Sequence, residues 1–275
     1  MIRRILVGIA DKTYSTAATR HAIEFAKICD AKLTSVSILD ADTLFNVGPV
    51  ALGGGSAAKE LREERLEHAR EIIEEAQNAF IELCDEAGVT YDVVRETGDP
   101  LTEFIDASRY HDMVVVGLHR LFEHGVVDDA PDNLIKLVSS GVRPMFAVSS
   151  TFHHVNRILV AYSGSIESAR TLRGFAQHRF LWPDTKVRIV TFGSDESKHP
   201  SRLQDAQDYL RSHGIDADVE FVNKSSKALL SYAEDWNADL IVMGNSAKNL
   251  LRRRIFGEVA LKTIREAKIP LFLSQ

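Results

Sequence analysis

The sequence has little cysteine, no long apolar run and no clustered metal-ligand motif, and each shortage removes a class of protein. Cys29 and Cys84 are the two thiols in 275 residues. Both fall on apolar helix faces of the first half, so they read as buried thiols rather than a disulfide. No stretch approaches the ~18 consecutive apolar residues of a spanning helix, and no basic leader precedes an apolar core. No membrane segment is therefore expected, and the cytoplasm is the expected location. His119, His124 and the adjacent His153 and His154 lack Cys or His neighbours at structural-zinc spacing and read as surface histidines. Tyr162-Ser163-Gly164-Ser165 lacks the Gly-x-Ser-x-Gly frame of a nucleophile turn, and no His or Asp is placed by sequence to activate the serine. Ser165 reads instead as a helix cap.

A large basic excess is also missing. The net charge is −6, but it divides unevenly. Residues 1–150 carry 15 Lys and Arg against 25 Asp and Glu, a net −10, and residues 151–275 carry 18 against 14, a net +4. An acidic first half disfavours nucleic acid as a partner, while a mildly basic second half leaves room for a small anionic ligand. The hydrophobic share of 45% and charged share of 26% are those of an ordinary soluble protein.

What is present is a repeat. Arg4-Ile5-Leu6-Val7 returns as Arg157-Ile158-Leu159-Val160, Val114-Val115-Val116-Gly117 as Ile241-Val242-Met243-Gly244, and Arg143-Pro144-Met145-Phe146 as Ile269-Pro270-Leu271-Phe272. Landmarks in one order across most of the chain mean two copies of one domain. Short runs of branched apolar residues such as Ile5–Ile9 suit strands covered on both faces. Ala18, Ala22, Phe25, Ala26 and Cys29 then fall three or four apart, the stripe of a helix packed on a sheet.

The first copy reads as strands at Ile5–Ile9, Lys32–Leu39, Tyr91–Arg95, Met113–Val116 and Met145–Val148. The intervening helices are expected from Ser15 to Cys29, Ala58 to Ala87, Leu101 to Tyr110 and Asp132 to Ser140. The second copy repeats the alternation, with strands near Ile158, Val187, Val219, Leu240 and Leu271. Such alternation forces right-handed crossovers and a mostly parallel sheet. Ile5 to Gly117 spans 112 residues against 86 from Ile158 to Gly244. The excess is placed around Asp40 to Glu64, read as a surface loop or a lid. Thr151-Phe152-His153-His154 is too short for a free tether between the copies.

In an open parallel sheet, ligands sit beyond the carboxyl ends of the strands, so the loop after the fourth strand carries the functional signal. In the second copy it reads Gly244-Asn245-Ser246-Ala247, nine residues to Phe256, then Gly257-Glu258-Val259. In the first it reads Gly117-Leu118-His119-Arg120, nine residues to Asp129, then Ala130-Pro131. This framework resembles the universal stress protein family, whose ATP-binding members carry Gly, two residues, Gly, nine residues, Gly, then Ser or Thr. The opening Ile-Leu-Val strands, the Gly98-Asp99-Pro100 turn and the closing strands after Pro144 and Pro270 fit as well, so the resemblance covers essentially the whole chain.

The resemblance implies two tandem doubly wound, Rossmann-like α/β domains at residues 1–150 and 155–275, each with a five-stranded, mostly parallel sheet. It also implies that Met145–Val148 pairs with Leu271–Leu273, making the chain its own pseudo-dimer, with a further homodimer left open. Carried over residue by residue, the cofactor site is Ser163, Met243, Gly244, Ser246, Ala247, Gly257, Glu258 and Val259. The ligand is then ATP or another adenine nucleotide in the second domain.

Both copies depart from the nucleotide pattern. Ala247 replaces a Gly, and Glu258 replaces the hydroxyl residue, bringing a carboxylate that accepts but does not donate. Arg252-Arg253-Arg254 in the same loop is either compensating charge or a solvated basic loop. In the first copy Arg120 and Ala130-Pro131 replace the key positions, Asp128 and Asp129 add negative charge, and Pro131 has no N–H to offer. Relatives place an Asp beside the base at the end of the first strand, where this chain has Ala10 and Ser163. Three roles stay open. They are a non-enzymatic stress-response protein with one ligand site, a scaffold without nucleotide binding, and a weak ATPase of the adenine-nucleotide α-hydrolase-like group. The ATPase reading lacks a phosphate loop, a placed general base and metal carboxylates.

Overall fold

The branched apolar runs form strands and the three-to-four periodic stretches form helices, in strict alternation. The computed structural model describes residues 2–45, 55–119, 130–142, 144–194, 200–244 and 258–274. The chain divides into two compact units, Met1–Val142 and Arg143–Gln275.

The first unit contains β1 (Arg4–Ile9), α1 (Lys12–Cys29), β2 (Lys32–Leu39), α2 (Ala41–Phe45), α3 (Gly55–Ala87), β3 (Tyr91–Thr97), α4 (Pro100–Ser108), β4 (Met113–Gly117) and α5 (Ala130–Ser139). Its strands lie in the order β3-β2-β1-β4, all parallel. The second unit contains β5 (Met145–Val148), β6 (Arg157–Ala161), α6 (Ile166–His178), β7 (Lys186–Phe192), α7 (Pro200–Ser212), β8 (Ala217–Val222), α8 (Leu229–Asp235), β9 (Leu240–Met243), α9 (Glu258–Glu266) and β10 (Leu271–Leu273). Here the order is β5-β10-β9-β6-β7-β8, parallel except where β10 meets β5.

In both units the first strand of the repeat lies between its successor and the fourth strand of its repeat. A carboxylate fixes that placement. Asp112, just before β4, accepts the backbone N–H groups of Arg3 and Arg4 on one oxygen at 2.7 and 2.9 Å. Asp239, just before β9, accepts those of Asn156 and Arg157 at 2.9 Å each. The backbone returns the contact, Asp112 N–H to Arg4 C=O at 2.8 Å and Asp239 N–H to Arg157 C=O at 2.9 Å. Hydrogen bonds to a charged acceptor are stronger than neutral ones, so each carboxylate pins the register of a strand pair at its N-terminal end.

The strand that closes the first repeat falls within the second unit, and side-chain packing gives the reason. Phe146 on β5 is opposite Phe272 on β10 in an antiparallel register. Trp182 packs against both rings, with centroids 5.7 Å away in each case, and against Phe175 at 6.3 Å. All four aromatics are buried. Aromatic pairs add stabilisation beyond the area they bury, which binds β5 to this core.

Three local readings shift. Helix α1 starts at Lys12 rather than Ser15, because Asp11 caps it by accepting the Tyr14 N–H at 2.9 Å. The Ser15 hydroxyl accepts the Ala10 N–H instead. The segment read as a loop from Asp40 contains α2, capped by Asp40 accepting the Thr43 N–H at 3.0 Å and anchored by buried Leu44. Helix α3 begins at Gly55, and Arg62 donates to the Phe45 carbonyl at 2.9 Å, tying α3 to α2. Gly88 ends α3 at φ +65°, the left-handed conformation a glycine adopts without steric cost. Among the described residues, no helix is long and apolar enough to cross a membrane.

Both cysteines are free and buried. Burial pushes the Cys29 thiol up, and pushes that of Cys84 up to about 12. The thiolate is the reactive form, so burial disfavours the nucleophilic state of both sulfurs. At pH 8 a disulfide reagent such as DTNB is expected to release little thiolate from native protein and two equivalents in denaturant; rapid native reaction would contradict the packing. Asp239→Ala is expected to cost about 1–3 kcal/mol by leaving strand N–H groups unpaired. Urea unfolding measures this, and an unchanged midpoint would show that the carboxylate does not hold the register.

Candidate functional site

A sheet whose central strand has its crossovers leaving in opposite directions opens a crevice at the carboxyl ends of the strands. In the second unit β6 is that strand, with β7 on one side and β9 on the other. A cleft of about 270 Å³ lies there. Its floor comes from the ends of β6 and β9, through Ala161, Tyr162, Ser163, Met243 and Gly244. Val190 and Phe192 of β7 and Leu229 of α8 form an apolar side. Ser165, Glu167 and Ser168 from the first turn of α6 form a polar side, and Val259 and Ala260 of α9 complete the lining with Ser226.

The turn entering α6 sets the hydroxyls. Gly164 has φ +70°, a left-handed backbone that glycine adopts without steric cost, with the Arg202 side chain beside it. The turn brings Ser165 to the N-cap, where its hydroxyl accepts the Ser168 N–H at 3.2 Å. Ser168 donates to the Ser165 carbonyl at 2.9 Å, and Ser163 donates to Ser165 Oγ at 3.1 Å. The three hydroxyls thus form one network at the mouth of the cleft. Tyr162 lies beside it. Burial, reinforced by the Asp205 carboxylate, pushes its phenol above the usual range, so it stays neutral.

Gly244 has a packing role as well as a place in the spacing motif. A Cβ there would meet Thr171 Oγ1 at 2.5 Å and the Glu167 carbonyl oxygen at 3.1 Å. Thr171 is held by donating to the Ser274 carbonyl at 2.7 Å. The end of β9 therefore approaches α6 along a line that a side chain would block.

Of the eight residues expected at the site, Ser163, Met243, Gly244 and Val259 line this one cleft. Ser246, Ala247 and Gly257 lie outside the described residues, as do Arg252, Arg253 and Arg254. Glu258 is the first residue of α9. The sequence reading missed Glu167, Ser168, Ser226, Phe192 and Leu229. The Ser165-x-x-Ser168 capping pattern was a signal for one of them. Phe192 and Leu229 had none, because they reach the cleft from β7 and α8 and read in sequence as ordinary core residues.

The equivalent place in the first unit is arranged differently. Ala10 is buried and offers no side-chain polar group. The Asp11 carboxylate caps α1. Tyr14 Oη lies 3.3 Å from His119 Nδ1, with the two rings edge to face at 6.2 Å, so the start of α1 and the loop after β4 contact each other. Arg120, Asp128 and Asp129 lie outside the described residues, and Ala130 opens α5. His124 also lies outside them, while His153 and His154 are exposed.

Comparison with known proteins matches this framework twice. The model of the universal stress protein family matches residues 1–137 and 154–274. Universal stress protein Slr1230 of Synechocystis sp. is 24% identical over 207 residues, covering 74% of this chain and 70% of that protein. The crystal structure of a universal stress protein from Archaeoglobus fulgidus has a TM-score of 0.67 at 19% identity, over 98% of this chain and 96% of that one. A protein of unknown function from Pseudomonas aeruginosa has a TM-score of 0.63 at 16% identity, over 99% and 92%. At these identities the two structures share the fold with this chain.

Gly244→Ala is expected to cost about 1–3 kcal/mol through overpacking against Thr171 and Glu167. The double change with Thr171→Ala should recover part of that loss, because it removes the Oγ1 that the new Cβ meets. Thermal unfolding of the single and double variants measures both. Equal stability of Gly244→Ala and the parent would show that the glycine is not required for packing.

Proposed function

The chain belongs to the universal stress protein family, and we propose that it acts without turnover, by holding an adenine nucleotide or related small ligand in the cleft of its second unit. The observation that carries this reading is the convergence of Ser163, Met243, Gly244 and Val259 on one cavity at the carboxyl ends of β6 and β9. Those positions come from three separate stretches of sequence. The apolar side formed by Val190, Phe192 and Leu229 suits a flat ring, and the hydroxyl side suits a sugar.

The first unit supports the asymmetry. Its strand-end carboxylate is engaged as a helix cap, and a Tyr–His contact joins the first turn of α1 to the loop after β4, the two segments that would flank a ligand. Absence of turnover is supported by the chemistry of the lining. The serine hydroxyls are hydrogen-bonded to one another, and no histidine stands among the described lining residues to act as a general base. A ligand held by the folded state raises stability by mass action, which provides a non-catalytic readout of its concentration. The antiparallel β5–β10 pairing joins the closing strands of both sequence repeats within the second unit.

Isothermal titration with ATP, ADP and AMP tests the proposal. Binding to one site per chain is expected, abolished by Gly257→Asp and unaffected by Ala130→Asp, with no phosphate released from ATP. Equal loss from both substitutions would refute the asymmetry. Absence of heat at high micromolar ligand would favour a scaffold role, and phosphate release would favour an ATPase.

A further inference from the structure

We infer that the first unit carries a binding groove of its own, and that this groove takes a small zwitterion with an aliphatic body, an α-amino acid. The groove has a volume of about 500 Å³ and lies between α3 and the carboxyl ends of β2 and β3. That volume falls within the ~300–1,000 Å³ of small-molecule sites.

Alternation along the strands decides which side chains face it. Ser35 of β2 and Tyr91 of β3 turn toward α3: the Ser35 hydroxyl accepts Gln77 Nε2 at 2.6 Å, and the Tyr91 ring meets Phe80 edge to face with centroids 5.6 Å apart. Further along β2 the same face presents Ser37, opposite Arg95 of β3, and then Leu39, opposite Thr97. At this level α3 offers Ile73, about one turn before Gln77, and an aliphatic side chain gives a hydroxyl nothing to bond. Ser37 is 2% exposed and lines the groove, and its hydroxyl has no hydrogen-bond partner among the described residues. A buried polar group left unpaired costs stability, so a ligand that bonds Ser37 relieves that cost.

The remaining lining carries both signs of charge. Arg95 shares the face of Ser37, Arg70 and Glu74 reach the groove from α3, and Glu96 stands beside Arg95 on β3. Arg70 also meets Glu67 at 3.7 Å, a solvent-exposed pair of the kind that holds its partners weakly. Guanidinium groups and a serine hydroxyl fit a carboxylate, which accepts hydrogen bonds from all of them. The Glu74 carboxylate fits an ammonium, which only donates. Ile73 and Leu39 provide apolar surface for an aliphatic side chain. A simple anion would gain from the arginines and be opposed by the glutamates, and a simple cation would meet the reverse. A zwitterion satisfies both at once.

Titration calorimetry of the full chain at millimolar ligand tests the inference with leucine, with isocaproate, which lacks the ammonium, and with isoamylamine, which lacks the carboxylate. Leucine is expected to bind about tenfold more tightly than either analogue, the worth of one charge-assisted contact. Arg95→Gln, at an exposed position, should weaken leucine about tenfold, and Ser37→Ala about fivefold. Because the Ser37 hydroxyl has no hydrogen-bond partner among the described residues, Ser37→Ala should leave the thermal midpoint unchanged, which separates a ligand contact from a structural role. Gly257→Asp should leave leucine binding intact, so the outcome is independent of the nucleotide reading for the second unit. Isocaproate binding as tightly as leucine, equal leucine binding by Arg95→Gln and the parent, or no heat from leucine would each overturn the inference.

Discussion

The carboxylate that grips the start of each central strand is the constraint on which the rest of the second unit depends. Asp239 holds the N–H groups of Asn156 and Arg157, and so fixes where β6 stands against β9. The far ends of those two strands are the floor of the cleft. In a parallel pair a slip of one residue turns every side chain to the opposite face. Ser163 and Gly244 can meet at one cavity only while the register at the other end is held.

Asp112 performs the same task for β1 and β4, so the two units share their scaffold and differ in what they place at its open end. In the first unit the strand-end polar residue, Asp11, is consumed by capping α1, and Tyr14 of α1 contacts His119 in the loop after β4. In the second, Ser165, two residues beyond Ser163, does the capping, and a cavity remains. Duplication kept the register device in both copies.

Much of the fold was legible in the sequence because the parallel strands are buried on both faces and read as unbroken branched apolar runs. Helix starts were less legible. Both Asp11 and Ser15 have cap-forming side chains, and which one caps α1 depends on the path of the chain leaving β1. Helix α2 is only five residues long, and its one buried anchor, Leu44, gave no periodic signal. The grouping of β5 with the second unit rests on Phe146, Trp182 and Phe272 meeting, a contact among residues far apart in the chain.

For the site, the sequence by itself determined the framework: two copies, a spacing motif after the fourth strand, and the substitutions that weaken it. These are local properties, set by residue type and separation along the chain. Tertiary structure alone decided that Glu167, Phe192 and Leu229 share a cavity with Ser163, and that Gly244 serves close packing against Thr171. A cleft at a topological switch point is assembled from the ends of elements many residues apart, so its charge and walls follow from sheet order and register rather than from any one stretch of sequence.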